Sequence, residues 1–365
     1  MPTTTPTPTQ SKELNSHITT MKAITQDEYG LPDVLHLQEI QKPEVGDDDV
    51  LLRVHAASVH SGDWHMMTGE PRLMRMIGFG FRAPKARVRG MDVAGTVEAV
   101  GRNVTRFQAG DEVFGICDGS FAEYACARAG KLASRPTNLT FEQAAAVPTS
   151  ACTALQALRG PGEIQPGQRV LINGASGGVG LFAVQIAKSF DAEVTGVCST
   201  TKMDMVHAIG ADHVIDYNKE DFTQSAPRYD LILDMVGNRS LSQLRGALTP
   251  RGTLVLVGGE GGDRWIGALS RSMQALVVSP LVSQRLRPVL AAANTQDLEF
   301  LKELIETAKV RPVVDRTFSL SEVPDAIWYL NSGQARGKIV ISVPGAGSAT
   351  EAMAATVGAQ QRIEQ

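Results

Sequence analysis

The sequence is poor in the features that mark several classes of protein. Its 365 residues include only four cysteines, and no two of them form a C-x-x-C pair. This argues against a disulfide framework and against a structural zinc knuckle. No run is long and apolar enough to predict a transmembrane helix, so a membrane is not an expected partner. The net charge of -4 provides no basic field that would attract nucleic acid.

The two ends of the chain also lack signals. Residues 1–20 are rich in Thr, Pro and Ser, with neither the apolar core of a secretion signal nor the arginines of a mitochondrial presequence. We expect residues 1–20 and 344–365 to be tails, the first of them disordered. Unpaired thiols fit a reducing compartment, which predicts a cytoplasmic protein.

Between these ends, the length favours two domains, and the hydrophobic pattern changes where they would meet. Residues 21–147 contain short apolar runs broken by Gly, Pro and Asp, which is typical of an all-β unit with barrel-like packing. A capping box, Thr140 to Gln143, predicts one helix that carries AAAVPTSACTALQAL. Residues 148–289 alternate strands and helices, which predicts a parallel sheet covered on both faces. Residues 290–343 return to a mixed pattern that could complete the first domain.

The strongest chemical signal is a glycine-rich turn between a predicted strand and a predicted helix, Val170 to Gly180. Small residues there let the backbone approach a pyrophosphate, and the N-terminus of a helix offsets its charge. Ala175 replaces the first glycine of the usual G-x-G-x-x-G motif. The predicted cofactor-binding residues of this turn are Ala175, Ser176, Gly177, Gly178, Val179 and Gly180.

The end of the second strand of this unit indicates which nicotinamide cofactor is bound. NAD sites place a carboxylate there, but this sequence has Ser199, Thr200 and Lys202. Hydroxyls and an ammonium suit a 2′-phosphate, so we expect NADPH. Alternatively, Ser199 and Thr200 could cap the next helix, and Lys202 could be a solvated surface residue. Short-chain dehydrogenases are excluded, because none of the five tyrosines has a lysine four residues later.

Several motifs in order resemble a known family: Gly90-Met-Asp92-Val-Ala-Gly95, then Ala-Ser-Gly-Gly-Val-Gly, then Gly-Ala-Asp-His-Val-Ile-Asp-Tyr. From Met21 to about Val343 the chain resembles medium-chain dehydrogenase/reductases. The resemblance implies an α/β fold with a GroES-like, β-barrel-type catalytic domain and a Rossmann domain with a doubly wound parallel sheet. It also implies a cleft between these domains and a homodimer. Further cofactor-binding positions implied by the family are Tyr217, Val236, Gly258, Arg336 and Lys338.

The zinc-dependent members of this family bind a catalytic metal with Cys, His and Cys. The matching positions here are His60, Met91 and Thr149, and methionine and threonine are poor zinc ligands. We therefore expect no metal. Without zinc to polarise an alcohol or ketone, hydride transfer to a conjugated acceptor is easier. The predicted reaction is the NADPH-dependent reduction of a quinone or an α,β-unsaturated carbonyl.

Three residues are candidates for catalysis. Asp63 could orient the nicotinamide ribose, and His60 could donate a hydrogen bond or a proton to the acceptor. Thr149 could contact the nicotinamide amide, although His60 and Thr149 could equally serve the fold. Two rival functions stay open: an alcohol or carbonyl dehydrogenase of the same superfamily, and a non-catalytic regulator that binds NADPH.

Overall fold

The computed structural model describes residues 20–73, 75–76, 80–224, 228–259 and 269–344. Apart from Thr20 and Pro344, the predicted tails lie outside the described residues; Thr20 already begins the first strand. The strands are β1 Thr20–Thr25, β2 His36–Gln41, β3 Asp49–Val59, β4 Asp92–Val100, β5 Glu112–Ile116, β6 Tyr124–Arg128, β7 Leu132–Ser134, β8 Arg169–Asn173, β9 Glu193–Cys198, β10 His213–Asp216, β11 Tyr229–Asp234, β12 Leu248–Leu256, β13 Arg285–Pro288, β14 Val314–Ser319 and β15 Lys338–Ser342. The α-helices are α1 Ser61–Thr68, α2 Phe141–Ala145, α3 Pro148–Arg159, α4 Gly178–Ser189, α5 Met203–Ala208, α6 Leu241–Ala247, α7 Leu269–Val278, α8 Thr295–Glu306 and α9 Val323–Asn331.

Five strands from the first part of the chain and two from near its C-terminal end form a seven-stranded sheet, with a small ribbon of β1 and β2 beside it. The order in the larger sheet is β14-β15-β3-β4-β5-β7, and β6 pairs with β3. Because β15 is antiparallel to β3, with Ile339 opposite Val59, the C-terminal segment completes this sheet. The register also carries Lys338 to the end of β3, next to the start of α1.

The second sheet is parallel, as the strand–helix alternation predicted. Its order is β10-β9-β8-β11-β12-β13, and every pairing within it is parallel. Strand β8 contributes Val170, Leu171 and Ile172, all fully buried, as expected for a strand covered on both faces. The chain leaves β8 toward β9 on one side and later returns to β11 on the other. The carboxyl end of β8 is therefore the switch point at which such sheets bind ligands.

The single helix predicted after Thr140 is two helices. Thr140 does cap α2 through a capping box with Gln143, but α2 ends at Ala145 and α3 begins at Pro148. The reason is the proline: Pro148 has no N–H with which to continue the hydrogen bonds of α2, and proline is well suited to the first position of a new helix. Helix α3 lies at the junction of the two sheets, where its buried side chains pack against both.

One hydrophobic cluster crosses that junction. Ala94 and Phe114 of the first sheet belong to the same buried cluster as Leu158 of α3 and Val170 of the second sheet. The cleft between the sheets therefore has a packed floor, which fixes the relative positions of groups contributed from both sides. None of the helices in the described ranges combines the length and apolar character needed to cross a lipid bilayer.

Candidate active site

The glycine-rich turn after β8 is shaped so that backbone approaches backbone. Gly174 has φ of +94°, in the left-handed region. A methyl group on Gly180 would lie 2.1 Å from the carbonyl oxygen of Gly174, so no larger residue fits there. Gly177 precedes the first turn of α4 without a side-chain cap. The N–H groups of that turn have no acceptor within the helix, so the turn is suited to a phosphate.

The backbone N–H of Ala175 is not available to a phosphate. Its N–H donates to the carbonyl of Val197 at 3.0 Å, and its side chain is fully buried. A methyl group on Gly196 would lie 3.0 Å from the Ala175 side chain, so the alanine fills the space between β8 and β9. Its position in the motif is explained by packing, and Ser176 follows it at the half-buried rim.

The loops that follow β11 and β12 pack beside the turn, on the side of β8 away from β9. A methyl group on Gly174 would lie 2.9 Å from the Val236 side chain, and one on Gly258 would lie 3.1 Å from the Met235 carbonyl. Beneath them, Asp234 is fully buried, accepts a hydrogen bond from Asn173 at 2.8 Å and forms a 2.9 Å ion pair with Arg271. This network was not predicted from the sequence, because its members are far apart in the chain.

The predicted 2′-phosphate corner is built by both halves of the molecule. Lys202 donates to the Gly333 carbonyl at 2.8 Å. Burial lowers the pKa of Lys202; the nearby carboxylate of Asp315 opposes this effect and the charge of Arg336 adds to it, so two cations and one carboxylate lie at this corner. Ser199 precedes the 3-10 turn Thr200–Lys202 without capping it through its side chain. Tyr217 is half exposed, and its N–H donates to the Cys198 carbonyl at 3.1 Å.

Thr200 has a different role from its two neighbours. Its hydroxyl donates to Asp216 at 2.5 Å, and this hydrogen bond is the main reason that the pKa of Asp216 is lowered. The sequence lacks a carboxylate at the end of β9, but the tertiary structure brings one from the end of β10. With its proton committed to Asp216, Thr200 can offer a phosphate no hydrogen bond from its side chain.

His60 is the N-cap of α1 and faces the cleft. Its Nδ1 accepts a hydrogen bond from the N–H of Gly62 at 3.0 Å, while its own N–H donates to Asp63 at 2.8 Å. Because Nδ1 is an acceptor, the neutral ring carries its proton on Nε2. Nε2 is buried and has no partner among the described residues. In this tautomer the ring therefore has one N–H that makes no hydrogen bond to the described residues.

Asp63 lies behind His60 and is 1% exposed. Burial raises the pKa of Asp63, and the nearby His60 and Lys338 oppose that shift. One carboxylate oxygen holds the His60 backbone, and the other, Oδ1, has no partner among the described residues. The geometry gives Asp63 a role in fixing the position of His60.

Thr149 and Lys338 meet at a carboxylate that the sequence showed but did not explain. Asp92, at the start of β4, is fully buried. It accepts hydrogen bonds from the N–H and hydroxyl of Thr149 at 2.9 and 2.5 Å, and from the hydroxyl of Ser58 at 2.8 Å. Lys338, 2% exposed, has its ammonium 3.8 Å from Asp92 and donates to Ser150 at 3.0 Å. Burial lowers the pKa of Lys338, against the attraction of Asp92 and Asp63.

These groups converge on a cavity of about 150 Å³ between the two sheets. Its lining includes three predicted catalytic or cofactor side chains and the start of α4: His60, Thr149, Lys338, Gly178 and Val179. A methyl group on Gly178 would lie 3.4 Å from Cδ of Lys338. The cavity is thus lined by the helix N-terminus and by His60 together. Asp63 lies behind this lining, and the corner around Lys202 and Arg336 is outside it.

Family models match both parts of the chain. A model described as "Alcohol dehydrogenase GroES-like domain" matches residues 46–137, and one described as "Zinc-binding dehydrogenase" matches residues 209–341. The chain is 34% identical over 362 residues to the mitochondrial NAD(P)H oxidoreductase RTN4IP1 of Mus musculus, covering 89% of this chain and 90% of that protein. It is 32% identical over 339 residues to the chloroplastic NADPH-dependent alkenal/one oxidoreductase of Arabidopsis thaliana, covering 88% of this chain and 79% of that protein.

Solved structures agree with this likeness. The quinone oxidoreductase from Coxiella burnetii superposes with a TM-score of 0.79 at 31% identity, covering 89% of this chain and 100% of that one. These similarities confirm the predicted fold class, a GroES-like domain with a Rossmann domain. The chain belongs to the medium-chain dehydrogenase/reductase superfamily, in its quinone oxidoreductase and enone reductase branch.

Proposed function

We propose that the protein is an oxidoreductase that transfers a hydride from NADPH to a quinone or an α,β-unsaturated carbonyl. The observation that carries this proposal is the cavity that is lined together by the N-terminus of α4, His60, Thr149 and Lys338. A phosphate-binding helix end and a hydrogen-bond donor for an oxygen are the two parts that such a reaction requires in one site. The names of the similar proteins agree, since they include NAD(P)H, alkenal/one and quinone oxidoreductases.

The residues around the cavity fit a dinucleotide phosphate. Gly174 and Gly180 keep the turn free of side chains where a pyrophosphate would approach, and Lys338 lies beside the same helix N-terminus. We assign the 2′-phosphate to Lys202, Arg336 and Ser199, and stacking or hydrogen bonding near the adenosine to Tyr217. Val236 and Gly258 would close the opposite side. Bound NADPH would supply the hydride, and these residues would hold the cofactor in position.

The acceptor's oxygen would be held by His60. In the neutral ring, Nε2–H donates, and Nδ1 is held by Gly62, so the ring can stabilise an oxyanion without changing its tautomer. Asp63 fixes the backbone of His60 from behind. Because its own proton goes to Asp92, the Thr149 hydroxyl faces the cavity as an acceptor, which suits the N–H₂ group of a carboxamide. The proton that completes the reduction would come from solvent.

We propose that this reaction proceeds without zinc. Two of the three positions where zinc-dependent relatives carry ligands hold poor zinc ligands here. The Thr149 hydroxyl donates its hydrogen bond to Asp92, and Met91 has only a thioether. The described ranges contain no group of three or more His, Cys, Asp or Glu side chains that could hold a metal ion. His60 alone is not a tetrahedral site. An activity that is lost with a chelator and restored by Zn²⁺ would contradict this proposal.

We further propose a homodimer that forms at the edge of the Rossmann sheet. Strand β13 pairs on one side only with a described strand, β12. Beside it, α7 and the turn that follows expose large apolar side chains, Met273, Leu276, Val277 and Leu281. Leu276→Arg should yield monomers in sedimentation velocity, whereas Leu37→Arg, at an exposed position on β2, should not. Unchanged dimers, or a wild type that is monomeric, would count against this interface.

Two further proposals concern organisation and compartment. We propose a catalytic domain of residues 21–147 completed by 290–343, and a Rossmann domain of 148–289; the sheet membership of β15 and β8 supports these bounds. We propose a cytoplasmic location, supported by four unpaired cysteines. Several similar proteins are named as mitochondrial or chloroplastic, so imaging of the tagged full chain in an organelle would refute the cytoplasmic location.

The experiment that tests the function is NADPH oxidation with a quinone, an enone, an aldehyde and a ketone, with NADH in parallel. We expect turnover of the quinone or the enone, with NADPH preferred. Activity confined to the aldehyde or ketone would favour an alcohol or carbonyl dehydrogenase. NADPH binding without turnover of any acceptor would favour a regulator.

A further inference from the structure

A buried carboxylate lies behind two of the residues that line the cavity, Thr149 and Lys338. Asp92 joins three segments that are far apart in sequence: the end of β3 through Ser58, the start of α3 through Thr149, and the start of β15 through Lys338. Asp92 has no exposed surface and does not itself line the cavity. It is connected to the cavity lining through Thr149 and Lys338. A fully buried carboxylate is costly unless it is paired and hydrogen-bonded, so its partners define what it does.

The first consequence concerns Thr149. Proline begins α3, so the next N–H in the first turn, that of Thr149, lacks an acceptor within the helix. Asp92, on β4, supplies that acceptor at 2.9 Å. The same Asp92 oxygen also accepts a hydrogen bond from the Thr149 hydroxyl at 2.5 Å. The direction of the Thr149 hydroxyl is thereby fixed.

The second consequence concerns Lys338. Its ammonium has two hydrogen-bond acceptors, Ser150 at 3.0 Å and the Val59 carbonyl at 3.3 Å, and neither carries a charge. The charged or titratable groups that face it are Asp92 from β4, Asp63 from α1 and His60 at the rim of the same cavity. The positive end of α4, at Gly178, opposes its charge. Asp92 is thus the counter-charge nearest to this lysine.

We propose that Asp92 is a positioning residue that keeps Lys338 protonated and Thr149 oriented in the free enzyme, so that both are ready for the cofactor. This inference rests on the proposed assignment of Lys338 and Thr149 to the cofactor site. Asp92 does not contact cofactor or acceptor. It acts through the charge of Lys338 and the direction of the Thr149 hydroxyl.

The test is the pH dependence of NADPH binding by full-length wild type and Asp92→Asn. Asparagine keeps the shape and an oxygen for Thr149 but removes the charge, so Lys338 should lose its proton at lower pH, and binding should then require proton uptake. At about pH 6 the two proteins should bind NADPH with affinities within about threefold. Above the shifted transition the variant's affinity should fall about tenfold per pH unit, so that by about pH 9 it binds at least tenfold more weakly than wild type.

Two control variants separate charge from structure. Ser58→Ala removes a hydrogen bond from Asp92 but keeps the charge, so its pH profile should match wild type. Lys338→Met should bind NADPH weakly at every pH, and Asp92→Asn added to it should change nothing further. Calorimetry in two buffers of different ionisation enthalpy should show extra proton uptake by Asp92→Asn alone.

The outcomes are distinguishable. A loss of affinity in Asp92→Asn that is equal at low and high pH would show a merely structural role and overturn the inference while the proposed function stands. Wild type that fails to bind NADPH would overturn both. If Asp92→Asn does not fold, wild type is compared with Lys338→Met between about pH 6 and pH 9. Wild type that binds NADPH more tightly than Lys338→Met by a constant factor, with no proton uptake beyond that of Lys338→Met, supports a Lys338 that is already protonated. Proton uptake in wild type that is absent in Lys338→Met overturns the proposal.

Discussion

The two ends of the proposed cofactor site are built on opposite principles. The phosphate end is a contiguous turn, Gly174 to Gly180, in which backbone geometry does the binding and the side chains are kept small. The end at His60 is assembled from side chains on β3, β4, α3 and β15, held by a buried carboxylate. The phosphate end requires glycines, whose missing side chains leave room for close backbone contacts. The end at His60 requires that each buried polar group has its particular hydrogen-bond or charge partner. The first is therefore sensitive to any added bulk, and the second to changes in charge and hydrogen bonding.

The largest effect should follow from adding one methyl group at the phosphate end. In Gly180→Ala the new atom would lie 2.1 Å from the Gly174 carbonyl oxygen, so the turn must shift. We expect a loss of about 3 kcal/mol in the free energy of unfolding, and loss of NADPH binding, measured by thermal unfolding and fluorescence titration. Gly177→Ala is the matched control for stability alone, because its nearest contact within the protein would be 3.4 Å and its φ is -81°. Equal destabilisation by both would show that the turn is not tightly packed.

At the other end, His60→Ser should leave the fold intact but slow the reaction. Serine is a good N-cap, yet it is too short to donate into the cavity. Loss of one oxyanion donor should lower kcat by about 100-fold with little change in KM. His60→Asn, which keeps a cap and an N–H donor, should recover part of that rate. Steady-state kinetics with wild-type kcat in His60→Ser would remove His60 from the chemistry.

A smaller effect, between the two ends, concerns the choice of cofactor. Lys202→Ala should weaken NADPH binding by about tenfold to 100-fold, because a charge-assisted hydrogen bond is lost, and should leave NADH nearly unchanged. The matched control is Lys219→Ala, an exposed lysine 3.7 Å from Asp216 at the same corner. Thr200→Val should not change the NADPH/NADH ratio, because that hydroxyl already serves Asp216. A ratio that changes equally in all three variants would sink the assignment of the 2′-phosphate to Lys202.

The predictability of the molecule follows the same division. The strand–helix alternation, the capping box at Thr140 and the phosphate turn were visible because each depends on residues close in sequence. The continuity of the helix after Thr140 was predicted wrongly, since Pro148 restarts it. Lys338 was implied by the family resemblance, but its pairing with Asp92 was not, because they are brought together only by the pairing of β15 and β4 with β3.

The sequence by itself determined the two-domain α/β organisation and the phosphate turn, because hydrophobic periodicity and glycine geometry are local properties of the chain. It also excluded a carboxylate at the end of β9. Only the tertiary structure decided that Asp216 would reach Thr200 from the next strand, that the His60 ring would keep its free proton on Nε2, and that Asp92 would hold both Thr149 and Lys338. Those arrangements depend on which buried polar groups find partners, and buried partners are chosen by packing across the whole fold rather than by neighbours in the sequence.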